Sequence, residues 1–216
     1  MSINYNNFAK TFSNSRKNMK WEEIDYFLSF LENKNNENIA DIGCWNGRLL
    51  KFLKEKNINF NKYLWIDLSE WLLEEAKKIH KDWDFLKLNM LDLEKIDKKL
   101  DIIFLIASFH HLDFLKDRLK VLTNVYKMLK KWWKVFMTNW ALDSNLNKEK
   151  YKNSIVENSK NEFWGYDYNI KIGKYTRYYH CFSLDELDYL FKKTWFKIVE
   201  NRLFNNQKNY ISILEK

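Results

Sequence analysis

The sequence predicts an α/β fold: a seven-stranded, mainly parallel sheet with helices on both faces and a last strand that runs antiparallel. Short apolar runs alternate along the chain with segments of helical periodicity. The last two runs follow one another without a helix between them. At 216 residues and 46% hydrophobic composition, the chain can bury the core of one such domain.

Seven short apolar runs are predicted as strands. In chain order they are Ile39–Ile42, Tyr63–Ile66, Phe85–Leu88, Ile102–Ile106, Val135–Thr138, Lys197–Val199 and Ile211–Leu214. Five segments with one apolar face are predicted as helices, at Trp21–Leu31, Arg48–Lys56, Glu70–His80, Leu115–Leu129 and Leu184–Phe191. Ser183 and Glu186 have the spacing of a capping box at the start of the last helix. Because strands and helices alternate, right-handed crossovers make most strands parallel.

We expect a single domain over residues 1–216. Within it we expect an N-terminal helical cap at 1–33, a ligand-binding core at 34–142, an insertion over the ligand cleft at 143–180, and a C-terminal helix and strand pair at 181–216. Residues 143–174 interrupt the alternation, because they are polar and rich in Asn, Lys and Tyr. We interpret that stretch as a helical or loop insertion, not as a second domain.

Charge and cysteine content narrow the class of protein. Lys and Arg number 37 against 29 Asp and Glu, a net charge of +8. This excess suits a polyanionic partner such as RNA, although lysine enrichment in an A/T-rich gene also produces it. Two cysteines, Cys44 and Cys181, are too few for a disulfide framework. With no long apolar run and no signal pattern at its start, we predict a cytoplasmic protein without a membrane span, and we predict no metal site.

The chain has ten tryptophans but only four glycines and no proline. Average usage would give about 15 glycines and about 11 prolines. An A/T-rich gene explains the loss of Gly and Pro, but it does not favour Trp. The codon UGA is read as stop, Trp or Gly in different lineages. We therefore hypothesise that some of these positions are UGA codons that the source reads as glycine; the alternative is an aromatic-rich protein whose indoles are real.

Polar residues follow four of the predicted strands, where ligands bind in parallel sheets. Asp41, Gly43 and Gly47 follow the first strand, in a turn that lets backbone amides approach a ligand. Asp67 follows the second, about 26 residues beyond Asp41, close to the spacing of an acidic residue that takes ribose hydroxyls. The third strand is followed by Asn89–Asp92, which suits an adenine ring, and the fourth by Ala107–His111.

Together these residues resemble the class I S-adenosylmethionine-dependent methyltransferases, which have a Rossmann-like fold and the pattern Asp-x-Gly-x-Gly-x-Gly. Trp45 stands at the middle glycine of that pattern, and Trp132 and Trp133 stand at the Gly-Gly that precedes the fifth strand. Trp65 and Trp195 also fall where glycine is usual, whereas Trp21 and Trp140 fall at aromatic positions. The resemblance implies S-adenosyl-L-methionine as cofactor, held by Asp41, Gly43, Cys44, Trp45, Gly47, Asp67, Leu68, Asn89, Met90, Ala107 and His110. We expect a sound fold whose pocket is partly obstructed on its methionine side by Trp45.

Four further segments resemble the tRNA wobble-uridine carboxymethyl O-methyltransferases, including the methyltransferase module of the AlkB-homologue tRNA hydroxylase. They are residues 5–16 followed by Trp21, the Ile106–His111 segment with its His pair, Trp140-Ala141, and Arg177–Phe182 followed by Glu186-Leu187. They occur in order and span nearly the whole chain. Asn89 stands where the family has Asp, and Lys131 where it has Pro.

The resemblance implies methyl transfer to a modified uridine in tRNA, with tRNA and a small subunit as partners. A carboxylate acceptor is ionised at neutral pH and needs no general base, whereas a nitrogen or phenol acceptor would need one. Arg16 and Arg177 are then predicted to anchor the carboxylate or a phosphate. We predict that His110, Tyr178 and His180 contact the acceptor, His110 alternatively the cofactor. The alternatives are a small-molecule methyltransferase, or a catalytically silent tRNA-binding or subunit protein with this fold.

Overall fold

The computed structural model describes residues 21–32, 34, 36–79 and 84–216. Its strands, numbered in chain order, are β1 Glu37–Ile42, β2 Phe60–Asp67, β3 Asp84–Lys87, β4 Leu100–Ile106, β5 Leu129–Trp140, β6 Tyr166–Ile172, β7 Tyr175–Cys181, β8 Lys197–Leu203 and β9 Asn209–Glu215. Its α-helices span Glu22–Ser29, Arg48–Glu55, Glu70–Ile79, Leu115–Met128, Lys148–Tyr151 and Leu184–Lys193. Short 3-10 turns lie at Met90–Lys95, Phe109–His111 and Lys152–Ser154.

Seven of the strands form one sheet in the order β3-β2-β1-β4-β5-β9-β8. The pairs β2/β3, β1/β2, β1/β4 and β4/β5 are parallel, and β9 runs antiparallel between β5 and β8. The predicted Rossmann-like fold class is therefore confirmed. The order reverses between β1 and β4, so the carboxyl ends of these two strands open the crevice in which ligands bind in such sheets.

Helices cover both faces of the sheet, as predicted. On one face the helices Leu115–Met128 and Leu184–Lys193 bury apolar side chains that include Val121, Leu122, Leu187 and Leu190. On the other face the helices Glu22–Ser29, Arg48–Glu55 and Glu70–Ile79 bury Phe27, Leu50, Leu53, Leu73 and Ala76. Each set recurs at helical spacing, so the burial of one stripe per helix explains why these segments fold as they do.

Only one of the two hydrogen bonds of the predicted capping box at Ser183 forms. Ser183 Oγ accepts a hydrogen bond from the main-chain amide of Glu186 at 3.1 Å. The Glu186 carboxylate bonds instead to His180 and Arg118. The cap is therefore real, but the glutamate serves a buried network described below.

The insertion differs from the prediction. Residues 166–181 are neither helix nor loop, because β6 and β7 pair antiparallel over their whole length and form a separate hairpin. Alternate side chains of this hairpin, Tyr168, Ile170, Tyr179 and Cys181, are buried with Leu142. The period of two is that of a strand, but polar and aromatic residues mask it in the sequence. Only the stretch before the hairpin is helical or looped.

Among the residues that the structure describes, four tryptophans have backbone angles in the left-handed region. Their φ values are 55° at Trp45, 70° at Trp132, 66° at Trp164 and 65° at Trp195. Glycine is the residue that adopts this conformation without steric cost. Three of the four are among the five positions at which we expected glycine to be usual. The other two positions differ, because Trp65 lies fully buried within β2 and Trp133 lies within β5, and neither has a left-handed backbone angle.

Among the described residues, none of the helices is both long and apolar enough to cross a bilayer. Cys44 and Cys181 are buried and are not joined in a disulfide.

Candidate functional site

A cleft of about 750 Å³ opens at the carboxyl ends of the central strands. This volume is within the range of sites that hold small molecules and cofactors. Residues that follow four strands line the cleft: Gly43 and Trp45 after β1, Asp67 and Leu68 after β2, Asn89 and Met90 after β3, and Ala107 and His110 after β4. The structure thus brings eight of the eleven predicted cofactor residues to one cleft.

The turn after β1 is held tightly against the sheet. The amides of Gly43 and Cys44 both donate to the carbonyl of Ile66, at 2.7 and 3.0 Å. Gly43 has a φ of 73°, and a Cβ there would lie 2.4 Å from the Cβ of Ser108. Gly47 has a φ of 78°, and a Cβ there would lie 1.6 Å from the ring of Trp65. Both glycines are therefore required by backbone angle and by space.

Asp67 is fixed by the main chain. Its Oδ2 accepts from the amide of Trp45 at 2.9 Å, and its Oδ1 accepts from the amide of Ser69 at 2.8 Å. Burial raises the pKa of Asp67, although these amide hydrogen bonds act in the opposite direction. Each carboxylate oxygen has a second lone pair. Asp67 therefore combines a fixed position in the cleft with remaining capacity to accept from the hydroxyls of a ligand.

The Trp45 ring forms one wall of the cleft. The guanidinium of Arg48 lies 4.1 Å from the Trp45 ring and 4.5 Å from the Trp21 ring. A cation between two indoles at these distances is a stabilising arrangement. An indole therefore lies beside the glycine turn, on the side where we expected obstruction.

Apolar side chains and an amide line the far end of the cleft. Asn89 Oδ1 accepts from the amide of Leu91 at 3.0 Å, which caps the short turn that follows. Leu68, Met90 and Leu91 provide apolar surface there. A planar, apolar ring with a polar edge, such as adenine, fits this combination.

Three predicted cofactor residues do not line the cleft. Cys44 and Asp41 are buried beneath the turn, and Gly47 begins the next helix. Tyr63 donates to Asp41 Oδ2 at 3.1 Å, and burial raises the pKa of Asp41 to about 7. Burial likewise raises the pKa of the Cys44 thiol. Their placement gives these residues a part in the shape of the turn, whereas direct ligand contact stays a prediction.

Two histidines stand side by side at the end of β4. His110 Nδ1 accepts a hydrogen bond of 3.0 Å from the main-chain amide of Trp140. This places the proton of a neutral His110 on Nε2. His111 Nδ1 lies 3.0 Å from the carbonyl of Tyr178, so this nitrogen carries a proton and donates. Both rings line the cleft and pack edge to face, 4.4 Å apart.

The hairpin supplies the opposite wall of this half of the cleft. Arg177, Tyr178 and Tyr179 all line it. Arg177 is only 9% exposed, and its guanidinium lies 5.4 Å from the ring of Tyr179. Trp140, which we expected at an aromatic position, packs edge to face on Tyr179 at 5.1 Å. Lys150 and Lys208 add two further cations to the lining.

His180 does not line the cleft; it lies in a buried ionic network behind the hairpin. Its Nδ1 contacts Asp167 Oδ1 at 2.6 Å, and its Nε2 contacts Glu186 Oε2 at 2.8 Å. Arg118 donates to the other oxygen of Glu186 at 3.0 Å. Burial acts to raise the pKa of Asp167 and of Glu186, but the hydrogen bonds from His180, together with those from other neighbours and the charges of His180 and Arg118, outweigh it, so both pKa values fall.

The network connects to the cleft through Tyr178. The Tyr178 hydroxyl donates to Asp167 Oδ1 at 2.7 Å, and burial raises the pKa of this phenol well above its usual range. Arg118 also donates to the carbonyls of Leu112 and Asp113, at 3.1 and 3.2 Å. Sequence reasoning missed Arg118 and Asp167. Arg118 appears in the sequence as one more charge on an amphipathic helix, and no local signal marks its burial.

Arg16 and the segment at residues 5–16 lie outside the described residues. Within the part of the chain that the structure describes, no three His, Cys, Asp or Glu side chains are grouped in a way that could hold a metal ion.

Comparisons with known proteins agree with this geometry. A family model described as a methyltransferase domain matches residues 40–131. The tRNA (carboxymethyluridine(34)-5-O)-methyltransferase of Saccharomyces cerevisiae is 26% identical over 155 residues, which cover 71% of this chain and 52% of that protein. The chain spans about half the length of the curated relatives it matches.

Solved structures share the fold at low identity. An S-adenosylmethionine-dependent methyltransferase from Clostridium acetobutylicum superposes with a TM-score of 0.71 at 16% identity, covering 98% of both chains. A chain of the Haloferax volcanii complex between the Trm112 methyltransferase activator and a methyltransferase superposes with a TM-score of 0.74 at 12% identity, covering 100% of this chain and 98% of that one.

Proposed function

We propose that this chain, which carries a class I S-adenosylmethionine-dependent methyltransferase domain, methylates the carboxylate of a carboxymethyl-type modified uridine in tRNA. The observation that carries the proposal is the composition of the acceptor half of the cleft. There the buried cation Arg177 lines the cleft together with Trp140, Tyr178 and Tyr179, and its guanidinium lies 5.4 Å from the Tyr179 ring. A carboxylate attached to a planar base matches a cation surrounded by aromatic rings.

The cofactor half of the cleft fits S-adenosylmethionine. Asp67 has free acceptor capacity for ribose hydroxyls, and the Leu68, Asn89 and Met90 lining suits adenine. The methionine end would lie along the turn at Gly43 and Trp45. When bound, this cofactor supplies a methyl group on a sulfonium that is already an excellent leaving group.

The protein therefore has to position the acceptor, not to activate it. An ionised carboxylate needs no general base, and methyl transfer requires in-line approach at about 3–3.5 Å. Arg177 would hold the carboxylate, while Leu112 and Trp140 exclude water from the same region. His110, whose Nδ1 accepts from the main chain, presents its Nε2–H as a donor. No residue is required to remove a proton.

Charge supports a nucleic acid as the carrier of the acceptor. The chain has a net charge of +8, and Lys150, Lys208 and Arg177 all line the cleft. Phosphate groups that flank the acceptor nucleotide would meet these cations. The resemblance to the yeast tRNA enzyme, at 26% identity, points to the same substrate class.

Two alternative functions are each favoured by an observation. The same fold serves many small-molecule acceptors, and the cleft is large enough for cofactor and a metabolite together. The Trp45 indole beside the glycine turn favours the second alternative, a catalytically silent RNA-binding protein.

Labelled cofactor distinguishes the three functions. Label from the methyl group should appear in tRNA and should fall strongly in the Arg177→Ala variant. Arg202→Ala is the matched control, because Arg202 pairs with Glu200 on the edge strand β8, outside the cleft lining. Label confined to a metabolite extract would favour a small-molecule enzyme. Binding of tRNA without any transfer would favour the silent protein.

A small activator subunit belongs to the same proposal. The support is the fold shared with the chain from the Haloferax complex, which contains the Trm112 methyltransferase activator. The expected result is that a co-expressed protein of the Trm112 type co-purifies with the chain and increases transfer. Equal transfer with and without it would remove the partner from the proposal.

A further inference from the structure

Phe114 lies in the cleft lining and has no role in the proposed function. This side chain lines the cleft but is 60% exposed, an unusual state for a large apolar ring. Leu68 and Leu146, also in the cleft lining, are 49% and 53% exposed. The cleft therefore presents apolar surface to solvent at its rim.

The backbone that carries Phe114 is rigidly held. Its carbonyl accepts from the amides of Asp117 and Arg118, at 3.0 and 3.1 Å, where the helix Leu115–Met128 begins. The two preceding carbonyls, those of Leu112 and Asp113, accept from the buried Arg118 side chain. The ring is thus exposed on a fixed support, so little conformational entropy would be lost when a ligand covers it.

Charge around the ring is mixed. Lys116 Nζ lies 5.5 Å from the centre of the Phe114 ring, while Asp113 and Asp117 flank it in the cleft lining. The cations Lys150 and Lys208 lie elsewhere in the same lining. A ligand with a neutral planar face for the ring and phosphates for the cations fits this distribution.

We propose that Phe114 is a stacking platform for a nucleobase of the RNA acceptor or of its neighbour. This rests on the proposed function, because it takes RNA as the occupant. Stacking on an aromatic side chain is tolerant of sequence, since every base has a π-face. Phe114 would then set affinity for RNA without contacting the reacting atoms.

Two binding measurements on each variant test this platform, one with an anticodon stem–loop RNA and one with S-adenosylhomocysteine. Phe114→Ala should weaken RNA binding about 5- to 100-fold and raise KM for RNA with little change in kcat. Phe114→Trp should restore both, and cofactor affinity should not change. Val199→Ala is the matched control, because Val199 is also exposed, at 43%, but lies on β8 outside the cleft lining.

Each outcome separates the platform from the proposed reaction. Unchanged RNA binding by Phe114→Ala, with methyl transfer intact, would overturn the platform and leave the reaction standing. Weakened RNA binding in a protein that transfers no methyl group would support the platform while the reaction fails. If the parent chain binds no RNA, or if the ring docks a protein instead, the platform is wrong.

A different observation carries a second inference, independent of RNA. Of the four tryptophans with left-handed backbone angles, Trp132, Trp164 and Trp195 are 68%, 67% and 66% exposed. Exposed indoles at positions with a strained backbone gain little packing that could offset the strain. Trp45, the fourth, lines the cleft.

We infer that the native residue at positions 45, 132, 164 and 195 is glycine. Three of these positions are those at which the sequence patterns indicate glycine, and Trp164 joins them on its backbone angle alone. Glycine would remove the backbone strain at all four positions and would open the methionine side of the cleft at position 45.

The codons of the gene and the stability of glycine variants test this inference. UGA is expected at all four codons, and UGG there would overturn it. Replacing the four residues by glycine should raise Tm by about 2–4 °C for each relieved turn, and Trp45→Gly alone should tighten S-adenosylhomocysteine binding. Trp21→Gly is the matched control, because Trp21 has a φ of −122° and is 7% exposed, so its loss should lower Tm. A lower Tm in the four-glycine variant would also contradict the inference.

Discussion

The main-chain amide of Trp45 donates a 2.9 Å hydrogen bond to Oδ2 of Asp67, which joins the turn after β1 to the carboxylate at the end of β2. The two residues come from neighbouring parallel strands, so the sheet itself sets their separation. This bond fixes the carboxylate that we assign to the cofactor ribose, and it makes Asp67 both a ligand group and a support for the turn.

Asp67→Ala should therefore weaken cofactor binding. Hydrogen bonds to a charged group contribute about 1.5–3 kcal/mol, so we expect the Kd for S-adenosylhomocysteine to rise at least about 10-fold. Isothermal titration calorimetry measures this change. Asp84→Ala is a suitable control, because Asp84 is an exposed residue of the edge strand with one long ion pair to Lys98. An unchanged Kd for Asp67→Ala would remove Asp67 from the cofactor site.

Asp41 should make stability depend on pH. Its pKa is about 7 in the folded chain, above the ordinary value of 3.8. The folded state thus binds more protons than the unfolded state between these values. The contribution of Asp41 to the free energy of unfolding is fully present below about pH 4. It is lost as the pH rises through about 7, and the loss is at most ~4 kcal/mol.

Urea unfolding from pH 5 to pH 8 tests that assignment. The parent chain should lose more unfolding free energy over this range than Asp41→Asn, which keeps a polar group for Tyr63 but cannot ionise. Parallel pH profiles for the two proteins would show that the burial of Asp41 does not control this stability.

Arg177→Ala should impair the acceptor and spare the cofactor. Loss of a charge-assisted pair corresponds to about 1.5–3 kcal/mol, so the KM for tRNA should rise about 10- to 100-fold while the Kd for S-adenosylhomocysteine stays within about 2-fold. Arg177→Lys should recover part of the loss, since it keeps the charge but not the fork geometry. Equal effects on both ligands would assign Arg177 to general packing.

The buried network should contribute to stability more than to chemistry. His180→Ala leaves Asp167 and Glu186 without their shared donor, and breaking a buried ionic pair costs about 3–5 kcal/mol. Chemical unfolding should show this loss, and the KM for tRNA should rise because Tyr178 and the hairpin lose their support. Preserved stability with abolished kcat would instead restore His180 to the catalytic role that the sequence suggested.

The fold was predictable because apolar periodicity is local. All seven strands of the sheet, including the antiparallel last strand, followed from runs of three to five residues, since the burial of one stripe or one face leaves a regular pattern. The hairpin at Tyr166–Cys181 did not follow, because its alternate Tyr, Ile and Cys positions do not stand out among polar neighbours.

The cofactor half of the site was easier to predict than the acceptor half. Gly43, Asp67 and Asn89 follow strand ends in order, so topology alone brings them together. Arg118 and Asp167, by contrast, lie in one network only because a helix and the hairpin pack together, and the two residues are 49 positions apart in the sequence. Such pairing depends on tertiary contacts, and a single sequence carries no sign of it.

Nucleoside mass spectrometry tests the central claim most directly. The substrate is tRNA whose wobble uridine carries a carboxymethyl group, incubated with S-adenosylmethionine and either the parent chain or its four-glycine variant, with and without a Trm112-type subunit. We expect the carboxymethyl nucleoside to gain one methyl ester and Arg177→Ala to reduce this gain at a tRNA concentration below the variant's KM. Unchanged nucleosides in every combination, from folded protein that binds S-adenosylhomocysteine, would contradict the proposed function.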